Sequence, residues 1–173
     1  MRQFAQPLAG EYHDFYQKYI DQVAPDQFTE QLESQPQTLR DLLQGLPADE
    51  LEKLHEPYTW SLKQVVGHLI DGERIFSDRM VRIAVGDETP IPGIDQQMFV
   101  RGVDFGGLEL ESLLDEFELL RKANILAAHR YSESALANLG VASDASVSAR
   151  ANLYILVGHV AYHLQIIGKR VGR

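Results

Sequence analysis

His159 and His163 stand four residues apart in a segment, Ala149 to Gly168, that reads as one apolar helix. That spacing puts both imidazoles on one face a turn apart, within reach of a single metal ion. Leu156, Val160 and Ile167 share the face, so the rings should point into the protein, where an imidazole without a partner carries a desolvation cost. A third inward-facing candidate is His68, surrounded at helical spacings by Val65, Leu69, Gly72 and Ile75. The two neighbourhoods are alike: Val66-Gly67-His68-Leu69 and Val157-Gly158-His159-Val160. A mid-helix glycine costs about 0.5–1 kcal/mol relative to alanine, so two at matching places predict close helix contacts beside the histidines.

Three neutral imidazoles leave an ion with open coordination positions, the arrangement of a catalytic rather than a structural site. Buried, hydrogen-bonded core histidines are the alternative. Asp71, one turn after His68, is placed to orient an imidazole or accept a proton; a solvated helical carboxylate is its alternative. Glu73 is expected on the surface. Of the six histidines, His13 and His55 fall in polar surroundings and His129 near a helix end, and no chemistry is assigned to them.

These side chains need helices to hold them. Leu8, Tyr12, Phe15, Tyr16, Tyr19, Ile20 and Val23 form one helical stripe that Pro25 ends. A broken helical connection follows, with Phe28 and Leu32 before Pro36, Leu39 to Leu46 after it, and a short turn from Pro47 through Leu54. Ser61 with Gln64 three residues on is a capping-box signature that should start the second main helix, running to about Val85. Gly86 to Gly107 is rich in proline and glycine and predicts a long non-helical excursion. The third main helix begins at Leu110 and extends to Tyr131, with a further piece reaching Leu139. Val141 to Ser148 reads as a loop, and no strand is expected. The expected fold is all-α: a four-helix bundle in one domain over residues 1–173, with a long linker between main helices 2 and 3.

Composition narrows the chemistry. Lys and Arg number 16 against 25 Asp and Glu, a net charge of −9, which opposes nucleic acid or an anionic membrane as partner and is easier to reconcile with a basic ligand or a neutral small-molecule substrate. Cysteine is absent, so disulfides, thiolate metal sites and a cysteine nucleophile are excluded. Met1 to Pro7 carries no apolar signal core, and no stretch approaches about 18 uninterrupted apolar residues, so the expectation is a soluble cytoplasmic protein.

The run Trp60-Ser61-Leu62-Lys63-Gln64-Val65-Val66-Gly67-His68-Leu69-Ile70-Asp71, the linker's Glu88-Thr89-Pro90, and Leu153 through His163 resemble the DinB/YfiT-like superfamily of metal-dependent enzymes, from about Tyr58 to Ile167. The resemblance implies a four-helix bundle holding a divalent metal, often nickel or zinc, by one histidine of the second helix and an HxxxH pair of the fourth. Those positions match His68, His159 and His163. It also implies activities of two kinds, transferases and isomerases using low-molecular-weight thiols such as bacillithiol or mycothiol, and hydrolases. The damage-inducible label in the family's name implies no DNA contact.

The leading expectation is a metal-dependent transferase in which the ion activates a low-molecular-weight thiol as cosubstrate, since the chain has no thiol of its own. A metal-dependent hydrolase, with Asp71 or a linker carboxylate such as Asp95 or Asp104 as base, is the alternative. A third reading is a non-catalytic, dimeric stress-response bundle. A homodimer is expected in any case, because Ile91, Ile94, Met98, Phe99, Val103 and Phe105 in the linker need a cover; folding back over the metal pocket would also supply one.

Overall fold

Gly10, at φ +88°, turns the chain inside the stripe expected as the first helix. A computed structural model describes residues 3–173; Met1 and Arg2, the start of the N-terminal stretch read above, lie outside the described residues. The stripe resolves into a 3-10 turn at Asp14–Tyr16 and one α-turn, α1 (Gln17–Ile20). Leu8 and Phe15 stay exposed while Tyr19, Ile20 and Val23 are buried, so only the end of the stripe has a surface to pack on.

The first helix of the bundle is instead α2 (Phe28–Leu43), which buries Phe28, Leu32, Gln35, Leu39 and Leu43 and passes unbroken through Pro36. Proline has no N–H, so the Leu32 carbonyl four residues back loses its helical donor. Arg121 supplies another, its Nη1 donating to Leu32 O at 3.0 Å. A short α3 (Ala48–Glu52) follows Pro47. The predicted capping box opens α4 (Leu62–Ala84): Gln64 N donates to Ser61 Oγ at 3.2 Å, and Ser61 N to Gln64 Oε1 at 2.8 Å.

The linker is less irregular than its composition predicts. Between its flanking prolines and glycines it holds α5 (Gln96–Arg101), whose start is capped by the Asp95 carboxylate, then a 3-10 turn at Phe105–Gly107. The third bundle helix, α6 (Leu110–His129), is followed by α7 (Glu133–Leu136). The expected loop is a β-hairpin, β1 (Leu139–Ala142) paired antiparallel with β2 (Ala145–Ser148), Gly140 opposite Val147. Ser143 and Asp144, at φ 53° and 62°, make its two-residue turn, a backbone shape suited to strand twist. Ile91 bridges to Ala142, tying the linker to this hairpin. Ser148 then caps α8 (Ala149–Val171), and Gly172, at φ +69°, ends it.

α4 packs between α6 and α8, and α2 packs against the same two helices from the other side, so α2 and α4 occupy a diagonal of the bundle. A buried polar network joins all four. Arg121 Nη2 and Nε donate to Glu73 Oε1 and Oε2 at 2.6 and 3.0 Å, and Nη1 also to Gln35 Oε1 at 2.8 Å. Asn124 donates to Glu73 Oε2 at 2.9 Å, and Gln35 Nε2 to Val157 O at 2.9 Å. Glu73, expected on the surface, is 1% exposed, because its cationic partner arrives from a helix 48 residues away. The last bond fixes α8 two residues before His159. Among the described residues, no helix is long and apolar enough to cross a membrane.

Candidate metal centre

His68 on α4 and His159 and His163 on α8 converge where those two helices pack, and one ring nitrogen from each lies within 4.8 Å of the other two. The ring centroids form a near-regular triangle: 4.7 Å for His68–His159, 5.0 Å for His68–His163 and 4.7 Å for His159–His163. Nε2 of His159 and Nε2 of His68 face each other at 2.8 Å. Without a metal one of the two donates and the other accepts, the roles being set by the tautomers. No other hydrogen bond reaches these three rings among the described residues.

Close packing sets the ring positions. A Cβ at Gly72 would stand 3.0 Å from His159 Cε1 and 3.1 Å from Nδ1, so the ring occupies the space a side chain would fill. Gly158 lets the backbone of Tyr19 pass, since a Cβ there would lie 1.9 Å from Tyr19 O. Gly67 receives the Phe105 ring, with Cε1 at 2.1 Å from a Cβ. Both glycines therefore mark tight contacts as expected, though the neighbours are α1 and the linker rather than another bundle helix.

Aromatic rings enclose the centre. Tyr19 and Phe76 stand 5.3 and 5.6 Å from His159, Trp60 4.9 Å from His68, and Tyr162 5.5 Å from His163. Burial favours the neutral form of an imidazole, and it pushes His68 down to about 4 and His163 to about 3. His159 is held well below the ordinary histidine value by the same cause, with His163 and His68 beside it. At neutral pH all three rings are therefore uncharged, each with one unprotonated nitrogen, the form a metal needs. Two donors about 2.0–2.1 Å from one ion stand roughly 3 Å apart, so the facing pair is already near ligand spacing. The residues fit a divalent cation, and the imidazole set suits zinc or nickel.

His68 and His159 open onto a cavity of about 350 Å³ lined also by Tyr16, Phe76, Asp71 and Arg79. Asp71 is half-buried there; burial pushes its carboxyl above the ordinary aspartate range, opposed by Arg74 and aided by Glu116. The linker supplies the opposite wall with Ile94, Asp95, Gln97 and Phe99. Trp60 Nε1, just before α4, donates to Gln97 Oε1 at 3.2 Å, and Lys63 Nζ on α4 donates to Gly106 O at 3.1 Å, tying the linker to the start of α4. Asp95 spends an oxygen on the Gln97 and Met98 N–H groups, and Asp104 lies beside Gly106 and Gly107, outside the residues lining the cavity. Of these three carboxylates, Asp71 is the half-buried one on the cavity wall. Of the histidines given no role, His13 accepts from Phe15 N, His55 meets Arg170, and His129 packs on Phe4. Arg79, given no role from the sequence, shares a helical stripe with His68 and Gly72, a spacing that could single it out.

Comparison with known proteins agrees with this architecture. The DinB superfamily profile matches residues 31–167, and the chain belongs to that superfamily. A protein of Oceanobacillus iheyensis named "Putative metal-dependent hydrolase" is 24% identical over 140 residues, covering 80% of each chain. The solved structure of YfiT from Bacillus subtilis, described as "a probable metal-dependent hydrolase with an unusual four-helix bundle topology", superposes with a TM-score of 0.72. That match covers 98% of this chain and 94% of YfiT at 16% identity, a likeness of fold.

Proposed function

We propose that this protein is a metal-dependent hydrolase of small molecules, with His68, His159 and His163 as its metal ligands. The observation that carries the reading is the convergence of three neutral imidazoles, two of them on a cavity whose wall also holds a half-buried carboxylate. A divalent ion held there supplies a Lewis acid that lowers the pKa of water or a thiol brought to it. The protein's own groups do the rest. The three neutral rings each offer one unprotonated nitrogen, Tyr19, Phe76 and Trp60 restrict water around them, and Asp71 takes up a proton at its carboxylate. The raised affinity of that carboxyl for a proton suits it to this role. The names carried by the Oceanobacillus and Bacillus proteins support hydrolysis.

Thiol transfer is the second reading, favoured by the absence of cysteine and by a cavity walled with Phe15, Tyr16, Tyr19, Phe76 and Phe99. A low-molecular-weight thiol would then take the place of water. One experiment separates the two. Tag-free protein is analysed for zinc and nickel, then assayed on ester, amide and chromogenic electrophile panels with and without bacillithiol or mycothiol. Hydrolysis without thiol, lost in His159→Ala and reduced about 10²-fold or more in Asp71→Asn, supports the hydrolase. Turnover only with thiol selects transfer. A metal content unchanged on replacing any one histidine removes both, leaving the non-catalytic bundle.

A homodimer belongs to the same proposal. Ile91 and Phe105 fold back into the core, but Ile94, Met98 and Val103 remain 44%, 62% and 45% exposed, and a second copy would cover them. Sedimentation at micromolar concentration that returns the monomer mass removes it.

A further inference from the structure

The cavity has a second polar end. Arg79 lies three turns beyond His68 on the same stripe of α4, is 3% exposed, and lines the same cavity. The Phe76 ring separates it from the histidines, 5.6 Å from the His159 ring and 5.9 Å from Arg79 Cζ. Its partners are all uncharged: Ser143 Oγ at 2.9 Å, with Tyr16 OH and Pro92 O at 3.4 Å. Nε is buried and has no acceptor. No carboxylate lies within ion-pairing distance of Arg79 among the described residues. Asp95 is engaged in capping α5. The other buried guanidinium, Arg121, shows the contrast, since it is fully paired with Glu73.

A buried cation without a counter-ion demands an anion. The hydroxyls of Tyr16 and Ser143 accept from Arg79, which leaves each with its own hydrogen to donate, and no acceptor for either appears among the described residues. The hairpin turn and the segment before α1 thus bring two further donors to the guanidinium.

We propose that Arg79, with Ser143 and Tyr16, binds an anionic oxygen group of the substrate, a carboxylate or a phosphate, while the histidine end receives the reacting atom. The proposal rests on the reading of this cavity as the active site and adds its substrate class: a small organic acid or phosphate ester with its anionic group about one aromatic ring's width from the point of attack.

Calorimetric titration with hexanoate, hexyl phosphate and the neutral isostere hexanamide tests it, using wild type, Arg79→Met, Ser143→Gly and His159→Ala. Glycine suits the φ of 53° at residue 143 while deleting the hydroxyl. At least one anion should bind wild type tenfold or more tighter than hexanamide, a comparison that needs no variant. Arg79→Met should abolish this preference, Ser143→Gly should reduce it, and His159→Ala, which lacks a metal ligand, should keep it. The stronger of the two anions identifies the group. Equal binding of hexanamide, no binding of either anion, or a preference kept by Arg79→Met overturns the proposal, as does one lost only in His159→Ala, which assigns the anion to the metal. An intact preference with no metal-dependent turnover would leave the anion site standing and remove the hydrolase.

Discussion

The imidazole of His159 rests against the bare α-carbon of Gly72, so the histidine cluster and the helix that carries His68 are fitted to each other at the scale of one methyl group. Gly72→Ala puts that methyl 3.0 Å from Cε1, tighter than ordinary contact, and the ring must shift by a few tenths of an ångström. Helix propensity favours the change by about 0.5–1 kcal/mol, yet metal affinity should fall about tenfold, the usual effect of disturbing a ligand's support. Competition with a chromophoric chelator measures it; unaltered affinity with unaltered stability would show that the contact does not position the ring.

Acid should loosen the metal-free protein. Histidines of the unfolded chain titrate near 6.5, while burial holds His68 at about 4, His163 at about 3 and His159 well below its ordinary value. Below pH 6.5 the unfolded state therefore binds more protons than the folded one, and stability falls as pH does. The contribution is fully present above 6.5 and is lost progressively toward 4 and then 3. Urea midpoints of chelator-treated protein should decline through that window more steeply than those of a His68→Phe variant.

Gly158 and Gly67 should respond differently to alanine. At Gly158 the obstacle is the Tyr19 backbone, which cannot rotate away, and α1 must be displaced. At Gly67 it is the Phe105 side chain, which can turn at the cost of some burial. Both changes overpack, by about 1–3 kcal/mol, with Gly158→Ala at the upper end and Gly67→Ala at the lower. Urea melts giving the reverse order would show that the linker is the less yielding neighbour.

Removing Arg121 alone should be severe. Arg121→Met leaves the Glu73 carboxylate buried with only Asn124, a loss of about 3–5 kcal/mol. Glu73→Met with Arg121→Met should cost less than the sum of the single changes, because no charge is then stranded. A double-mutant cycle by denaturant unfolding reads the coupling directly, and additivity within error would contradict it.

The parts of this fold that follow a local rule could be read from the chain. Ser61 and Gln64 start α4 where a capping box should, and the i, i+4 pair with the two Gly-His steps singled out the three histidines that converge. What escaped depends on partners distant in sequence. Glu73 is interior only because Arg121 is there, and the end of the first stripe is buried only because Gly158 admits it. The hairpin hides because its turn is Ser143-Asp144 rather than a glycine-bearing pair, and Val141 to Ser148 has little alternation.

The segment from Phe28 to Leu43 shows why a local reading divides what the protein keeps whole. Alone in water it has a gap in its hydrogen-bond ladder at Pro36, and its two halves have no common reason to stay in line. The missing rung is supplied from outside, by a guanidinium on α6 whose charge is held by α4. The second half of α2 is thus conditional on assembly: it closes when the bundle does. Docking therefore stabilises the helix there, and α2 should gain and lose its amide protection together with the whole bundle, with no independent fraying from the proline onward.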